Sequence, residues 1–358
     1  MKTSAQLAAD TLLDQRAAII GAVVERTFAA HPELDQRYGK IGREKCRQDA
    51  GYHLAYLAEA IGAESVALFT DYVAWAKVML AQRGVGEADL SAHFLCLREV
   101  LQEKLVPGPA ALAGGFVSAA LEAMPLMPRD LPVAIGEHAP LSALAHQYLS
   151  ALLRGERHLA SKLILETVER DTSVKAIYLH VFQPALYEIG RLWQTNRISV
   201  AQEHYCTAAT QLIMSQLYGK IFAHERNGHT LVATCVSGDL HEIGARMVTD
   251  FFEMAGWNTF YIGANAPSAS VVSTVVERKA EVLAISATIT YHITAVEELI
   301  AAVRRTPLCA GVKILVGGYP FNLSPDLWKK IGADGSAADA QGAITLAESL
   351  VGLGDSSS

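Results

Sequence analysis

The sequence lacks several features that would assign it to a common functional class. Basic residues are not in excess: 30 Lys and Arg stand against 37 Asp and Glu, a formal net charge of −7. Because binding to a phosphate backbone needs a cationic surface, we expect no direct nucleic-acid partner. No G-x-G-x-x-G motif follows a predicted strand and no Walker lysine motif occurs, so the common nucleotide sites of α/β proteins are not predicted.

Cysteines are few, and long apolar runs are missing. The five cysteines include no C-x-x-C pair, and the opening Met-Lys-Thr-Ser is not followed by the apolar core of a secretion signal. No run of eighteen apolar residues occurs without a charged or strongly polar residue, so no membrane span is expected. Together these absences predict a protein of the reducing cytoplasm.

The composition is that of a globular chain with more than one domain. Apolar residues make up 51% of the sequence, charged residues 19%, and the mean hydropathy is +0.21. A length of 358 residues corresponds to two or three domains at about 150 residues each. Half of the twelve prolines fall within 107–140, where their fixed φ and missing N–H interrupt regular structure. We therefore expect a domain boundary in that stretch.

Hydrophobic periodicity predicts an all-α N-terminal domain, a Pro-rich linker, a four-helix bundle cap and a C-terminal doubly wound, Rossmann-like α/β domain. The predicted bounds, in that order, are 1–125, 126–140, 141–226 and 227–354. In the last domain short β-rich runs alternate with helical stretches; these strands are predicted at 230–236, 258–262, 282–287 and 313–316. Ligands of such a sheet bind at the carboxyl ends of its strands.

The first predicted strand runs into the loop SGDLHEIG, which presents a histidine at that edge. Asp239 precedes His241 by two residues and can accept a hydrogen bond from one ring nitrogen, which leaves the other nitrogen for a metal. Gly244 allows a bulky group to approach the backbone. An isolated Asp-x-His is more often an ordinary loop pair. The motif therefore indicates a ligand site only together with matching elements at the ends of other strands.

Two further elements end later strands: Ser286 with Thr288, and the pair Gly317-Gly318. Together with the Asp-x-His-x-x-Gly motif they resemble the cobalamin-binding family. The resemblance implies that His241 ligates cobalt from below, in place of the cofactor's dimethylbenzimidazole, whose nucleotide tail fills a slot lined by the small residues. Thr288 replaces a leucine that is common in the family. This difference affects only the expected packing of the nucleotide tail.

The bundle holds a second motif, Trp193 followed after nine residues by Glu203-His204. It is similar to the W-x9-E-H element of CarH-type cobalamin photoreceptors. The resemblance implies that Trp193 covers the upper face of adenosylcobalamin and that Glu203 binds its 5′-deoxyadenosyl group. Gln194 replaces the histidine that follows this tryptophan in the CarH type, so His204, His180 or water stay open as upper ligands. Without the downstream motif, a tryptophan here would more often be plain core.

The likeness to cobalamin photoreceptors spans about 141–352 and implies a light sensor, not an enzyme. Photolysis of the Co–C bond would empty the upper face and change the conformation or the oligomeric state. We therefore expect a homodimer with light-dependent assembly and a downstream protein partner, without the DNA-binding module of the CarH type. The alternative is a corrinoid shuttle for a methyltransferase system; a cobalamin-dependent mutase would need a barrel domain.

The first 125 residues are similar in length and helicity to the helical domain of photocobilins, which pair cobalamin with biliverdin. The resemblance implies a biliverdin site in which His53 contacts the pyrrole nitrogens or the lactam, and Arg43, Lys45 and Arg47 supply cations for the propionates. Two alternatives stay open, because aromatic residues at helical spacing are more often core. One is a dimerisation or partner-docking domain, and the other is a haem-binding sensor with His53 or His93 as axial ligand.

Overall fold

The computed structural model describes residues 2–222 and 225–353. The described chain folds into a helical N-terminal domain, a helical bundle and an α/β domain with a parallel sheet, in the predicted order. The predicted fold class is confirmed.

The N-terminal domain consists of α1 Ser4–Asp14, α2 Arg16–Ala30, α3 Glu33–Gly62, α4 Val66–Ala81, α5 Glu87–Lys104 and α6 Pro107–Ala123. The periodicity predicts one helix over 5–30, and this is wrong: Gln15, with φ −93° and ψ 7°, separates α1 from α2. The helix α3 kinks at Gly39, whose φ is +61°. Fully buried side chains such as Leu12, Leu54 and Phe69 form the core.

By length and composition alone, one helical stretch of the described chain, Pro107–Leu126, could cross a membrane. It packs instead inside the helical domain, against α5, α1 and α4, with Ala113, Val117 and Ala120 fully buried. The core helix of a globular domain meets the same criteria. The packing thus accounts for the apolar character of this stretch.

The bundle contains four helical rods. They are α7 Ser142–Leu153; α8 Arg157–Glu169; α9 Val174–Ile177, continued by a π-helical turn Tyr178–Phe182 and by α10 Gln183–Gln194; and α11 Val200–Gln216, followed by the short α12 Tyr218–Ile221. Pro184 lacks the N–H that an α-helix would use, and the helix widens in the turn before it. Ser199 and Gln202 form a capping box that starts α11. The predicted end of this last rod, 223–224, lies outside the described residues.

The sheet has five parallel strands in the order β2-β1-β3-β4-β5. Its strands are β1 Thr230–Cys235, β2 Asn258–Gly263, β3 Val282–Ser286, β4 Lys313–Gly317 and β5 Gly335–Ser336, and its helices are α13 Ile243–Met254, α14 Ser268–Arg278, α15 Ile293–Arg305, α16 Tyr319–Leu323, α17 Leu327–Lys330 and α18 Ala340–Val351. From β1 the chain first adds β2 on one side of the sheet and then adds β3, β4 and β5 on the other side. The carboxyl ends of β1 and β3, where this change occurs, are therefore the expected ligand site. The short β5 escaped prediction because Gly-Ser has no β-branched or aromatic side chain.

The helical domain is docked on the α/β domain. Glu59 of α3 accepts hydrogen bonds from the backbone N (3.0 Å) and Oγ1 (2.9 Å) of Thr294 in the first turn of α15. The Tyr319 hydroxyl donates to Asp71 at 2.9 Å, and Lys330 donates to the carbonyl of Ala63 at 2.9 Å. Buried apolar side chains continue from one domain into the other. The two domains therefore share a packed interface that contains both hydrogen bonds and apolar contacts.

Candidate functional site at the carboxyl edge of the sheet

A buried carboxylate organises the loop between β1 and α13. Asp239 is fully buried, and its Oδ1 accepts hydrogen bonds from the backbone N (2.9 Å) and Nδ1 (2.8 Å) of His241. Its Oδ2 accepts one from the backbone N of Thr288 at 2.6 Å. Burial alone would raise the pKa of this carboxyl, but donors from His241 and Thr288, with the ring of His292 3.6 Å away, outweigh burial and hold the pKa far below its usual range. Asp239 is therefore an anion in the folded protein.

His241 presents one free ring nitrogen to solvent. Its side chain is 57% exposed, and Nδ1 is engaged by Asp239. This hydrogen bond raises the pKa of His241 against the effect of burial, and the charge of Glu203 adds to the rise. The proton of the neutral ring is thereby kept on Nδ1, and the lone pair of Nε2 is left for a metal ion.

The loop does not by itself form a metal site. Among residues 2–222 and 225–353, no group of three or more His, Cys, Asp and Glu side chains is placed to hold a metal ion. A metal bound at His241 must therefore bring most of its own ligands, as the metal of a macrocycle does. A single, well-oriented histidine suits an axial position of such a group.

The predicted small residues lie beside this loop. Ser286, the last residue of β3, pairs in register with Cys235 of β1 and Gly317 of β4. A Cβ at Gly318, whose φ is +108°, would lie 2.0 Å from the carbonyl oxygen of Ala287, so the fold itself requires this glycine. The glycine at position 318 is therefore explained by the fold alone. Space for a ligand is needed to explain only the other small residues of the predicted slot.

Gly244 and Thr288 have different surroundings. Apart from its chain neighbours and the backbone of its own helix, a Cβ added at Gly244 would meet no described protein atom within 4 Å, which leaves the first turn of α13 open at this position. Thr288 takes part through its backbone, whose N–H donates to Asp239. A leucine at this position would keep that bond.

Glu242 has a role that the sequence analysis missed. Its Oε1 accepts a hydrogen bond from Gln211 of α11 at 2.6 Å, and its Oε2 accepts one from the hydroxyl of Tyr261 in β2 at 3.2 Å. The residue next to His241 thereby ties the bundle and the edge strand to the loop. Neither partner carries a local motif, so only the tertiary structure could identify them.

Trp193 lies at the junction of the bundle and the helical domain. Its half-buried ring packs against Trp75 of α4, with 6.3 Å between ring centroids, and the guanidinium of Arg83 lies 5.8 Å from its centroid. Gln194 is buried. Its side-chain Nε2 donates to the backbone carbonyl of Trp75 at 3.1 Å, and its backbone carbonyl accepts a hydrogen bond from Arg83 at 3.0 Å. Gln194 thus joins the bundle to the helical domain, at the position where the CarH type has a histidine.

Glu203 and His204 form a pair at the start of α11. The Glu203 Oε2 lies 2.5 Å from Nδ1 of His204, and its Oε1 accepts a hydrogen bond from Thr207 at 2.9 Å. The side chain of His204 is 75% exposed, and that of Glu203 is half-buried. Since the charge of Glu203 contributes to the raised pKa of His241, the two predicted motifs share one electrostatic environment.

A row of aromatic rings joins the loop after β3 to the bundle. Tyr291 lies edge-on to Tyr56 of α3 at 5.4 Å, and Tyr56 stacks on Tyr72 at 3.7 Å. Trp75 follows at 6.3 Å from Tyr72, and Trp193 at 6.3 Å from Trp75. Flat, partly exposed rings of this kind suit contact with a planar ligand or tight packing between domains.

His53 lies in the core of the helical domain. It is 2% exposed, Nδ1 is 2.8 Å from the Tyr72 hydroxyl, and its ring packs on Phe94 and His93. Burial lowers the pKa of His53 far below its usual value and that of His93 to about 4, so both rings are neutral. Nδ1 of His53 is engaged inside the core, which disagrees with its predicted contact to bilin nitrogens. Arg43, predicted to hold a propionate, is paired with Asp35.

Two family models match this chain, and both are described as B12 binding domains. One covers residues 229–345, which include the loop of His241 and the strand ends. The other covers residues 144–218, which include Trp193 and Glu203. The helical domain lies outside both matches.

The relatives carry corrinoid names. The chain is 24% identical over 218 residues to a corrinoid protein of Desulfitobacterium hafniense, covering 59% of this chain and 99% of that protein. It is 30% identical over 167 residues to dimethylamine corrinoid protein 2 of Methanosarcina acetivorans, covering 46% of this chain and 74% of that protein. These names describe corrinoid proteins and not enzymes, in agreement with the expectation that the chain is not itself an enzyme.

A likeness to a solved structure supports the fold. The monomethylamine corrinoid protein of Methanosarcina barkeri superposes with a TM-score of 0.52 at 20% identity, over 60% of this chain and 100% of that one. The shared part thus leaves about two fifths of this chain without a counterpart there.

Proposed function

The chain belongs to the family of B12-binding corrinoid proteins, and we propose that His241 is the lower axial ligand of its cobalamin. The observation that carries the proposal is the hydrogen bond from Nδ1 of His241 to the buried Asp239, which leaves Nε2 as the one free nitrogen of an exposed ring. Open backbone at Gly244 gives the cofactor room beside this ring. When bound, the cofactor supplies a cobalt that can hold a carbon ligand on its upper side.

The affinity of the full-length chain for cobalamin tests this assignment. We expect His241→Ala to weaken binding by about ten-fold to a hundred-fold, because the cobalt loses its protein ligand. His146→Ala removes an exposed histidine of α7, outside the ligand loop and outside the predicted cap, and is the matched control. The measurement is equilibrium titration followed by visible absorption. An unchanged dissociation constant and spectrum in His241→Ala would contradict the assignment.

We infer a role as a corrinoid carrier in methyl transfer, supported by relatives whose names join corrinoids to methylated amines. In such a carrier methylcobalamin is the working form, and a partner enzyme docks over the upper face. The relatives' names support this role more directly than they support light sensing. Glu203 and Trp193 would then lie where the partner approaches.

A light sensor is the second candidate, and one observation favours it: the helical domain, which neither family model covers, closes on Trp193 through Trp75, Arg83 and the buried Gln194. A carrier must open its upper face to a partner, whereas a sensor can use a closed junction. Loss of an adenosyl group held by Trp193 and Glu203 would remove contacts on one side of this junction and shift the domains or a homodimer.

Illumination separates the two roles. If the chain is a light sensor, the adenosylcobalamin-loaded protein should change its elution volume in size-exclusion chromatography after exposure to green light, and the dark sample should not. The same protein loaded with hydroxocobalamin, which has no carbon ligand to lose, is the control. Identical elution of lit and dark adenosylcobalamin samples would contradict the sensor and favour the carrier.

We also propose biliverdin as a second chromophore, held beside the aromatic row of the helical domain. The proposal is supported by Tyr52, which is 47% exposed, by the half-buried Tyr56 one turn further along α3, and by the half-buried Trp75, which follows Tyr56 in the aromatic row. Partner docking is the competing use of these rings. His53 has no direct part in this version of the site, because it is engaged in the core.

Absorption spectra decide between these two uses of the rings. Full-length chain produced with biliverdin should co-purify with a red-absorbing band, and Tyr52→Ala should weaken that band because a stacking surface is lost. Tyr187→Ala, which removes an exposed tyrosine of α10, is the matched control. A spectrum of cobalamin alone under saturating biliverdin would defeat the bilin proposal.

A further inference from the structure

A buried tyrosine of the aromatic row is paired with a histidine. Tyr72 is 5% exposed and His53 2%, and the Tyr72 hydroxyl lies 2.8 Å from Nδ1 of His53. A buried phenol O–H needs an acceptor, and Nδ1 provides one when the ring proton of His53 lies on Nε2. The phenol is then hydrogen-bonded to a neutral base inside the core of the helical domain.

A pair of this kind has a chemical property that a tyrosine alone lacks in a protein core. A phenol that loses one electron becomes a strong acid and must release its hydroxyl proton. In an apolar core the proton needs an acceptor within hydrogen-bond distance, because water does not solvate it there. Burial lowers the pKa of His53, but the oxidised phenol is so much more acidic that a neutral imidazole still accepts its proton. Tyr72 is therefore equipped to lose an electron and a proton together.

The aromatic row connects this pair to the bundle. Trp75 lies 6.3 Å from Tyr72, with 23° between the ring planes, and Trp193 lies 6.3 Å from Trp75. Indole and phenol rings are among the side chains that lose an electron most readily, and electron transfer between rings is fast only at short distances. Both tryptophans are half-buried, whereas Tyr72 is shielded from solvent. An oxidant outside the protein can thus reach the row at its tryptophans.

We propose that Tyr72 and His53 form a redox site that stores one oxidising equivalent, which arrives through the two tryptophans. The oxidant is of the class of metal complexes that accept one electron. It takes an electron from Trp193, which regains one from Trp75, which in turn regains one from Tyr72. The Tyr72 hydroxyl proton passes to Nδ1 of His53. The products are a reduced metal complex, a neutral tyrosyl radical and an imidazolium, and both indole rings end unchanged.

This function lies beyond the proposed ligation of cobalt. His53 belongs to α3, and Tyr72 and Trp75 belong to α4, so three of the four side chains lie in the helical domain, outside both B12-binding models. None of the four lies in the loop after β1. The redox site needs neither cobalamin nor a bilin, and its test does not depend on the role of His241.

The test uses the full-length chain and tris(bipyridine)ruthenium(III), which is made in a light flash with persulfate as electron acceptor. After radicals at exposed side chains have decayed, high-field electron paramagnetic resonance should show a persistent tyrosyl radical with the g-tensor shift of a hydrogen-bonded radical oxygen. Tyr72→Phe keeps the ring and should lose this signal. Tyr148→Phe is the matched control and should retain the signal, because it removes a buried tyrosine that is bonded to Thr210.

His53→Gln separates proton transfer from packing. A glutamine amide can accept the hydrogen bond but cannot take the proton, so the persistent tyrosyl radical should be lost although Tyr72 is present, and a tryptophanyl radical should appear instead. Trp75→Phe should lower the yield of the tyrosyl radical, because it interrupts the row.

The glutamine variant also serves as the test if Tyr72→Phe does not fold. A persistent radical with an unchanged shift in Tyr72→Phe or in His53→Gln would overturn the inference, as would the absence of such a radical in the wild type. An unchanged yield in Trp75→Phe would overturn the proposed route.

Discussion

The carboxylate of Asp239 is the group on which the rest of the site depends. It is fully buried yet ionised, because donors from His241 and Thr288 stabilise its charge. Loss of either donor would leave a buried charge without a partner, which is costly in a low dielectric. The loop therefore has one favoured geometry. That geometry leaves Nε2 of His241 free, and it joins the ends of β1 and β3 at the point where the strand order reverses.

The helical domain changes what this ligand loop can do. It reaches the α/β domain through Glu59 and Tyr56, and it reaches the bundle through Trp75, so both sides of the site contact the same helical domain. In the curated relatives with nearly complete coverage, the match extends over only about three fifths of this chain. The part of the chain that these relatives do not share thus contacts both the α/β domain and the bundle.

The sequence is informative where chemistry depends on neighbours in the chain. Asp239 and His241 are two residues apart, and the strand pattern around them is strong, so both the motif and its place on the sheet could be predicted. The contact of Gln211 with Glu242 could not, since it joins residues 31 positions apart that no local pattern connects. The surroundings of His53 could not be predicted for a related reason. The pattern of an amphipathic helix does not show whether a histidine on it contacts a ligand or, as here, a tyrosine of the next helix.

The most direct test of the account is the nitrogen splitting of cobalt(II) in protein whose histidines carry ¹⁵N. With His241 as axial ligand, the electron paramagnetic resonance spectrum of the loaded, full-length chain should change its splitting pattern on labelling, because ¹⁵N and ¹⁴N have different nuclear spins. The change should be absent in His241→Ala. A spectrum that is the same with labelled and unlabelled histidine would mean that the cobalt is held by the cofactor's own base or by no nitrogen, and would contradict the central claim.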